Sequence, residues 1–252
     1  MSENISSKVL FHFTTSMVYL KSILKNGFFP HYCPEYRLDP DDKAEASKGC
    51  RPLHAAPLVS FCDLPLSLIR NHLKEYGNYG IGLKKNWGLR NGVTPVMYTH
   101  YRARTRRPIL RLTASAKGRG DKRAANDLDL LAAYTKPFRG AAWRENRRKK
   151  LEGEVRFYDE REWRYVPVVR EDEPLFLNRD HYTRPNITKA LHRRFRKEYA
   201  LPIHPDDIQY LIVPNDGHIL ALHKYLKRLY TPKDAVLVTT AIMTIDCIHE
   251  DV

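Results

Sequence analysis

Apolar and polar positions alternate in short runs along this chain, and only a few longer stretches carry a helical stripe. Residues 9–13 (Val-Leu-Phe-His-Phe) read as a first strand. A helix follows, with Ser16 as its cap, Val18, Leu20, Ile23 and Leu24 as its apolar stripe, and Gly27 as its stop. Residues 30–57 hold no sustained period and read as a loop rich in Pro and Asp. Residues 57–61 form a second strand. A helix over 64–76 follows, with Pro65 in its first turn, Leu66, Ile69, Leu73 and Tyr76 on its buried side, and Gly77 at its end. Further strands are expected at 79–83, 93–99, 162–169, 208–214, 236–239 and 242–247, and helices at 127–134 and 218–230. Many short strands with few helices and no regular strand–helix alternation predict an α+β fold rather than a doubly wound sheet.

Composition changes this picture in one place. The chain has 252 residues, 42% of them hydrophobic and 11% aromatic, enough for one domain with a genuine core. No apolar run reaches membrane-span length, no signal-like N-terminus is present, and the expected location is the cytoplasm. The net charge is +14. Residues 102–150 carry 16 Lys/Arg against 4 Asp/Glu, so +12 of the surplus sits in one basic insertion. Such a block favours polyanions. Arg102, Arg104, Arg106, Arg107, Arg144, Arg147 and Arg148 are its nucleic-acid-binding candidates. Tyr134, Phe138 and Trp143 lie among the charges where they could stack on bases, which favours RNA over DNA.

The four cysteines, Cys33, Cys50, Cys62 and Cys247, have no paired spacing and are expected to be reduced. A zinc site from His31, Cys33, Cys50 and His54 fits only loosely, lacking Cys-x-x-Cys, and no metal is expected. Chemistry is concentrated on three segments. Along 159–169, strand alternation puts Glu160, Glu162 and Arg164 on one face and Arg161, Trp163 and Tyr165 on the other. A carboxylate there could grip a sugar hydroxyl and stabilise charge developing at an anomeric carbon. The competing reading is a surface ion-pair ladder. His12 and Thr14 share one face of the first strand, and Ser60 lies on the second with no Gly-x-Ser-x-Gly context. Neither a Walker loop nor a dinucleotide glycine fingerprint is present.

His12-Phe13-Thr14, followed by Leu20-x-x-Ile23-Leu24-x-x-Gly27, resembles the opening of ADP-ribosyltransferase-fold proteins, DarT-like nucleic-acid transferases among them. Residues 60–67, 76–83 and 159–165 more closely resemble the AbiGi family of abortive phage-infection systems, whose named member is called an antitoxin. The transferase resemblance implies one domain over 1–252 with a split, mixed or antiparallel sheet, flanking helices and the basic insertion. It implies NAD as cofactor, held by His12, Phe13, Thr14, Ser60, Phe61, Tyr76 and Tyr79, with Glu162 and Glu160 catalytic and Arg164 orienting the acceptor. The expected function is then an anti-phage NAD-dependent mono-ADP-ribosyltransferase toxin acting on nucleic acid. The alternative is an inactive AbiGi-type antitoxin that binds a partner toxin or operator DNA. A metal-dependent nuclease lacks a carboxylate and histidine cluster beyond Glu160 and Glu162. The transferase expectation requires Glu162 and His12 to face one hollow.

Overall fold

A computed structural model describes residues 6–36, 53–100, 103–140, 155–170, 173–182 and 184–250. Eleven strands are described: β1 (Val9–Thr14), β2 (His31–Tyr36), β3 (Leu53–Cys62), β4 (Tyr79–Lys84), β5 (Thr94–Pro95), β6 (Met97–Thr99), β7 (Thr135–Pro137), β8 (Glu162–Tyr165), β9 (Leu177–Asn178), β10 (Ile208–Val213) and β11 (Ile242–Thr244). The helices are α1 (Met17–Asn26), α2 (Arg70–Tyr76), α3 (Lys85–Arg90), α4 (Arg106–Gly118), α5 (Lys122–Ala133), α6 (Arg179–Tyr182), α7 (Pro185–Glu198), α8 (Ile219–Leu229), α9 (Pro232–Thr239) and α10 (Ile245–Glu250). The main sheet is mixed and runs β11-β10-β4-β1-β3-β8-β5, with β2 and β9 also on β3; β6 and β7 pair separately. The class is α+β.

β1 and β4 pair over their full length, from Val9 opposite Lys84 to Thr14 opposite Tyr79. β1 and β3 share only the pair Phe11 and Cys62. From there β3 continues alone: its last residues hold β8, and residues 53–58 hold β2. The sheet therefore divides beside Ser60, and β3 belongs to both parts. Pro34 is tolerated within β2 because β2 pairs only with β3 and is an edge strand.

Alternation along β1 sorts the core onto two faces. Leu10 packs with Phe61, Ile81, Leu83 and Trp87 under α1, α3 and α8. On the other face Val9, Phe11 and Phe13 pack with Cys62, Ile69 and Leu73 under α2. Gly80 and Gly82 are required there because a Cβ at either would sit 2.8 Å from the ring of Phe13 or Phe11. The helix stop at Gly27 is as expected: φ is 74°, its N–H reaches the Ile23 carbonyl, and a Cβ would strike the Leu201 carbonyl.

Four expectations need correction. Residues 236–239 lie in α9 instead of a strand. Thr231 caps the helix through the Asp234 N–H, Pro232 sits in its first turn, and Ala235 and Val238 are buried at helical spacing. β11 stops at Thr244, whose hydroxyl accepts from the Cys247 N–H and opens α10. Residues 31–36 form a strand instead of loop, and the strand expected at 57–61 begins four residues earlier, at Leu53, through pairing that short, proline-bearing runs do not advertise. The last strand of the acidic motif is Glu162–Tyr165, and the 3-10 turn Phe157–Glu160 precedes it. Arg161 joins the two in the left-handed region, with φ 43°.

Candidate functional site

The register settles which chemistry meets. Cys62 pairs with Glu162 and Ser60 with Arg164, so all four side chains share the face that carries Phe11. Glu160, although in the preceding turn, reaches the same place through Lys136, whose Nζ lies 2.6 Å from its Oε2. The result is a buried cluster: Glu162 is 5% and Arg164 1% exposed.

Its hydrogen bonds are complete. Glu162 Oε1 accepts from the Ser60 hydroxyl at 2.6 Å and from Arg164 Nε at 2.6 Å. Oε2 accepts from Lys136 Nζ at 2.5 Å and from Arg164 Nη2 at 3.1 Å. A carboxylate offers about four lone-pair positions, and here four donors occupy them. Arg164 has five N–H groups, and each has an acceptor. Besides its two bonds to Glu162, Nη1 donates to Glu35 Oε2 at 3.0 Å and to the Ala133 carbonyl at 2.8 Å, and Nη2 donates to Glu35 Oε1. Tyr76 donates to Glu160 Oε1 at 2.7 Å, and the Glu162 N–H donates to the Tyr98 hydroxyl at 2.8 Å.

Charges follow the same arrangement. Burial alone would raise the Glu162 carboxyl, but Arg164 and Lys136 beside it hold it well below the carboxylate range. Burial alone would lower the Lys136 ammonium, but Glu162, Glu160 and Glu35 hold it above its ordinary value. Burial, with Glu160 next to it, raises the Tyr76 hydroxyl well above its usual value. The residue as a whole stays 40% exposed while its hydroxyl donates to Glu160. Three carboxylates and two cations thus form one network, buried except at Glu35, rather than a surface ladder. Glu35, Lys136 and Tyr98 were not singled out from sequence. Lys136 is one of 16 basic residues in its segment, and nothing in the local pattern marks it as the buried one.

His12 is elsewhere. It neighbours Phe11 in β1 and so points to the opposite face from Glu162. Its ring packs edge-on to Phe28, centroids 5.0 Å apart, and lies 5.8 Å from Phe61. Nδ1 sits 2.8 Å from the Ser60 carbonyl, where β1 has already parted from β3. Nδ1 therefore carries the proton and replaces the missing ladder bond. Burial lowers this imidazole, which is neutral. The expectation of one hollow shared by His12 and Glu162 is thus corrected. Ser60 stands between them, its carbonyl taking His12 and its hydroxyl bonding Glu162.

The other candidates divide likewise. Phe13 and Phe61 are core residues of opposite faces and not walls of a cleft. Thr14 pairs with Tyr79 on the His12 side, and Tyr79 packs beside Ile81 and against the His218 ring. Tyr76 lies on the Glu162 side, so the two tyrosines do not flank one heterocycle. Arg164 is buried in the cluster, where all five of its N–H groups are already engaged. The residues expected to hold NAD do not fit it as a set: two are core, they divide between faces, and the Glu162 oxygens are filled.

In the basic segment, Arg104 and Arg107 are exposed. The Arg106 side chain and Arg102, Arg144, Arg147 and Arg148 lie outside the described residues, as does Trp143. Tyr134 and Phe138 turn inward: the Tyr134 hydroxyl accepts from the Val166 N–H, and Phe138 packs on Tyr158. Asp121 caps α5 through the Ala124 N–H, and Lys117 pairs with Asp129 at 2.9 Å, which fastens α4 to α5. Among the described residues no group of three or more His, Cys, Asp or Glu could hold a metal, and Cys50 lies outside them. Among the same residues no helix is long and apolar enough to cross a membrane.

A divided mixed sheet that carries a buried, charge-compensated cluster on its central strands is the arrangement against which relatives can be compared. Residues 26–214 match the family described as "Putative abortive phage resistance protein AbiGi, antitoxin". That span holds Ser60, Lys136, Glu160, Glu162 and Arg164 and leaves out His12. The chain belongs to the AbiGi family of abortive phage resistance proteins. A protein of Lactococcus lactis subsp. cremoris named "Abortive phage resistance protein AbiGi" is 27% identical over 254 residues, covering 89% of this chain and 99% of that relative. No solved structure matches the chain.

Proposed function

We propose that this protein serves in abortive infection as an antitoxin that acts by binding a toxin partner, without transferase chemistry. The observation that supports this reading is the occupancy of Glu162, whose four acceptor positions are taken by Ser60, Arg164 and Lys136. A catalytic carboxylate that must grip a ribose needs at least one such position free and a positive charge developing next to it. Here two resident cations already answer its charge. The family's description as an antitoxin points the same way. The exposed basic residues of α4 and α5, among them Arg107, Arg111, Lys122 and Arg123, offer the charged face on which an acidic partner surface would dock.

An NAD-dependent transferase is the second reading. One observation favours it: the hydroxyls of Ser60 and Tyr76 converge with Glu160 and Glu162, the group types that hold a sugar. It requires Lys136 to leave the cluster.

Expression in a bacterial host separates the two. The protein expressed alone should leave growth unchanged, and co-expression with a toxin partner should restore growth and co-purify the pair. Growth arrest by the protein alone, relieved by Glu162→Gln, would establish the transferase and overturn the antitoxin.

A further inference from the structure

A second charged surface lies on α7, outside the basic insertion. α7 carries five Lys/Arg against one acid, Glu198. At 100° per residue, Lys189, Arg193, Arg196 and Lys197 fall within an arc of about 100° that rises about 12 Å along the helix. All four are exposed, whereas Phe195 on the far side is buried. Arg194 is turned away and is engaged by Glu173 and Glu198. Lys189, Arg193 and Lys197 have no acidic partner among the described residues.

Rings continue this surface without a break. The Arg196 guanidinium lies 4.3 Å over the Phe29 ring. Phe29 is 4.9 Å from His31, and His31 is 4.7 Å from His192. His192 is fixed in turn, because its Nε2 accepts from the Tyr32 N–H at 3.0 Å. His31 is exposed, and Phe29 and His192 are half-buried, so the row of rings reaches solvent at His31 and at the side of Phe29 away from Arg196. Although its residue surface is exposed, the His31 ring packs between Phe29 and His192, and this desolvation, together with His192 and Arg196, lowers it to about 4, so at neutral pH its ring is uncharged. Cations in a row beside fixed aromatic faces are what a single strand needs: charge for its phosphates and flat apolar area for its unstacked bases. An acidic protein segment would use the charges and leave the rings idle.

We infer that the exposed arc of α7, with Phe29 and His31 at its side, binds single-stranded nucleic acid, the phosphates on Lys189, Arg193 and Lys197 and the bases on the two rings. This surface is separate from the ion cluster, and the inference does not depend on the antitoxin reading.

Fluorescence anisotropy with labelled single-stranded RNA and DNA of about 15 nucleotides, long enough to cover one site, tests it on the full chain. Lys189→Gln/Arg193→Gln/Lys197→Gln should weaken binding more than tenfold and make the slope of log affinity against log salt shallower by about 2, at ~0.7 per phosphate. His31→Ala should weaken binding about tenfold and leave that slope unchanged. The comparison variant Arg119→Gln/Lys122→Gln/Arg123→Gln, at the α4–α5 turn, should lose clearly less. Thermal unfolding of each variant checks that it is folded, and loss of binding by either RNA or DNA counts as support. Absence of binding would overturn the proposal. So would equal losses in the two triple variants with His31→Ala unaffected, or competition by polyglutamate as effective as unlabelled oligonucleotide, which would mark an acidic-protein surface instead.

Discussion

Glu162 and His12 carry most of the weight at the scale of single residues, and the structure separates them. The sequence shows Glu160, Glu162 and Arg164 at alternate positions, and they do converge, although Glu160 arrives from a turn and by way of Lys136. What the sequence does not show is the donor count. Lys136 comes from a strand 26 residues upstream and Glu35 from one 129 residues away from Arg164. No local pattern announces partners at that range. Removing one member of a buried charge cluster leaves the others uncompensated, so Lys136→Met should cost about 3–5 kcal/mol of unfolding free energy. Urea denaturation measures this, and a loss below about 1 kcal/mol would show the lysine to be dispensable there. His31 gives a pH dependence of known sign. Its folded value, about 4, lies below the ordinary 6.5. The unfolded chain therefore binds a proton that the folded chain refuses, and stability falls as pH drops from about 6.5 to about 4. His31→Gln should flatten that part of a stability-against-pH curve measured by thermal melting.

Elements were legible where a cap or a glycine marks the boundary. Ser16 and Gly27 frame α1, and the Ser16 hydroxyl accepts from the Tyr19 N–H at 3.3 Å as the pattern requires. Where propensity and capping disagree, capping decides. Val236-Leu237-Val238 has strand composition, yet the Thr231 hydroxyl and Pro232 start a helix that carries it with them. Thr231→Ala should accordingly cost about 1 kcal/mol, read by urea denaturation, because the Asp234 N–H loses its acceptor. α7 has only a narrow apolar stripe, Ile187, Leu191 and Phe195 at every fourth position with Phe195 alone fully buried, and the five Lys/Arg around it obscure the period in the sequence. The division of the sheet beside Ser60 is likewise tertiary: β3 reads as one strand, and only its neighbours show that it serves two parts.

For the whole molecule, the α+β class and the concentration of charge in one segment were plain from the chain itself. The buried half of the charge chemistry was not, because formal charge counts treat Lys136 and Arg164 like any surface cation. Through the buried cluster they tie β3, β7 and β8 together. On the antitoxin reading, this AbiGi-family protein works through its surfaces, with the strands that carry the cluster held rigid beneath them. Nicotinamide release from NAD, measured with the intact protein in the presence of RNA or DNA, tests this most directly. The account predicts a rate equal to that of a protein-free blank. A rate that saturates with NAD and disappears in folded Glu162→Gln would contradict it.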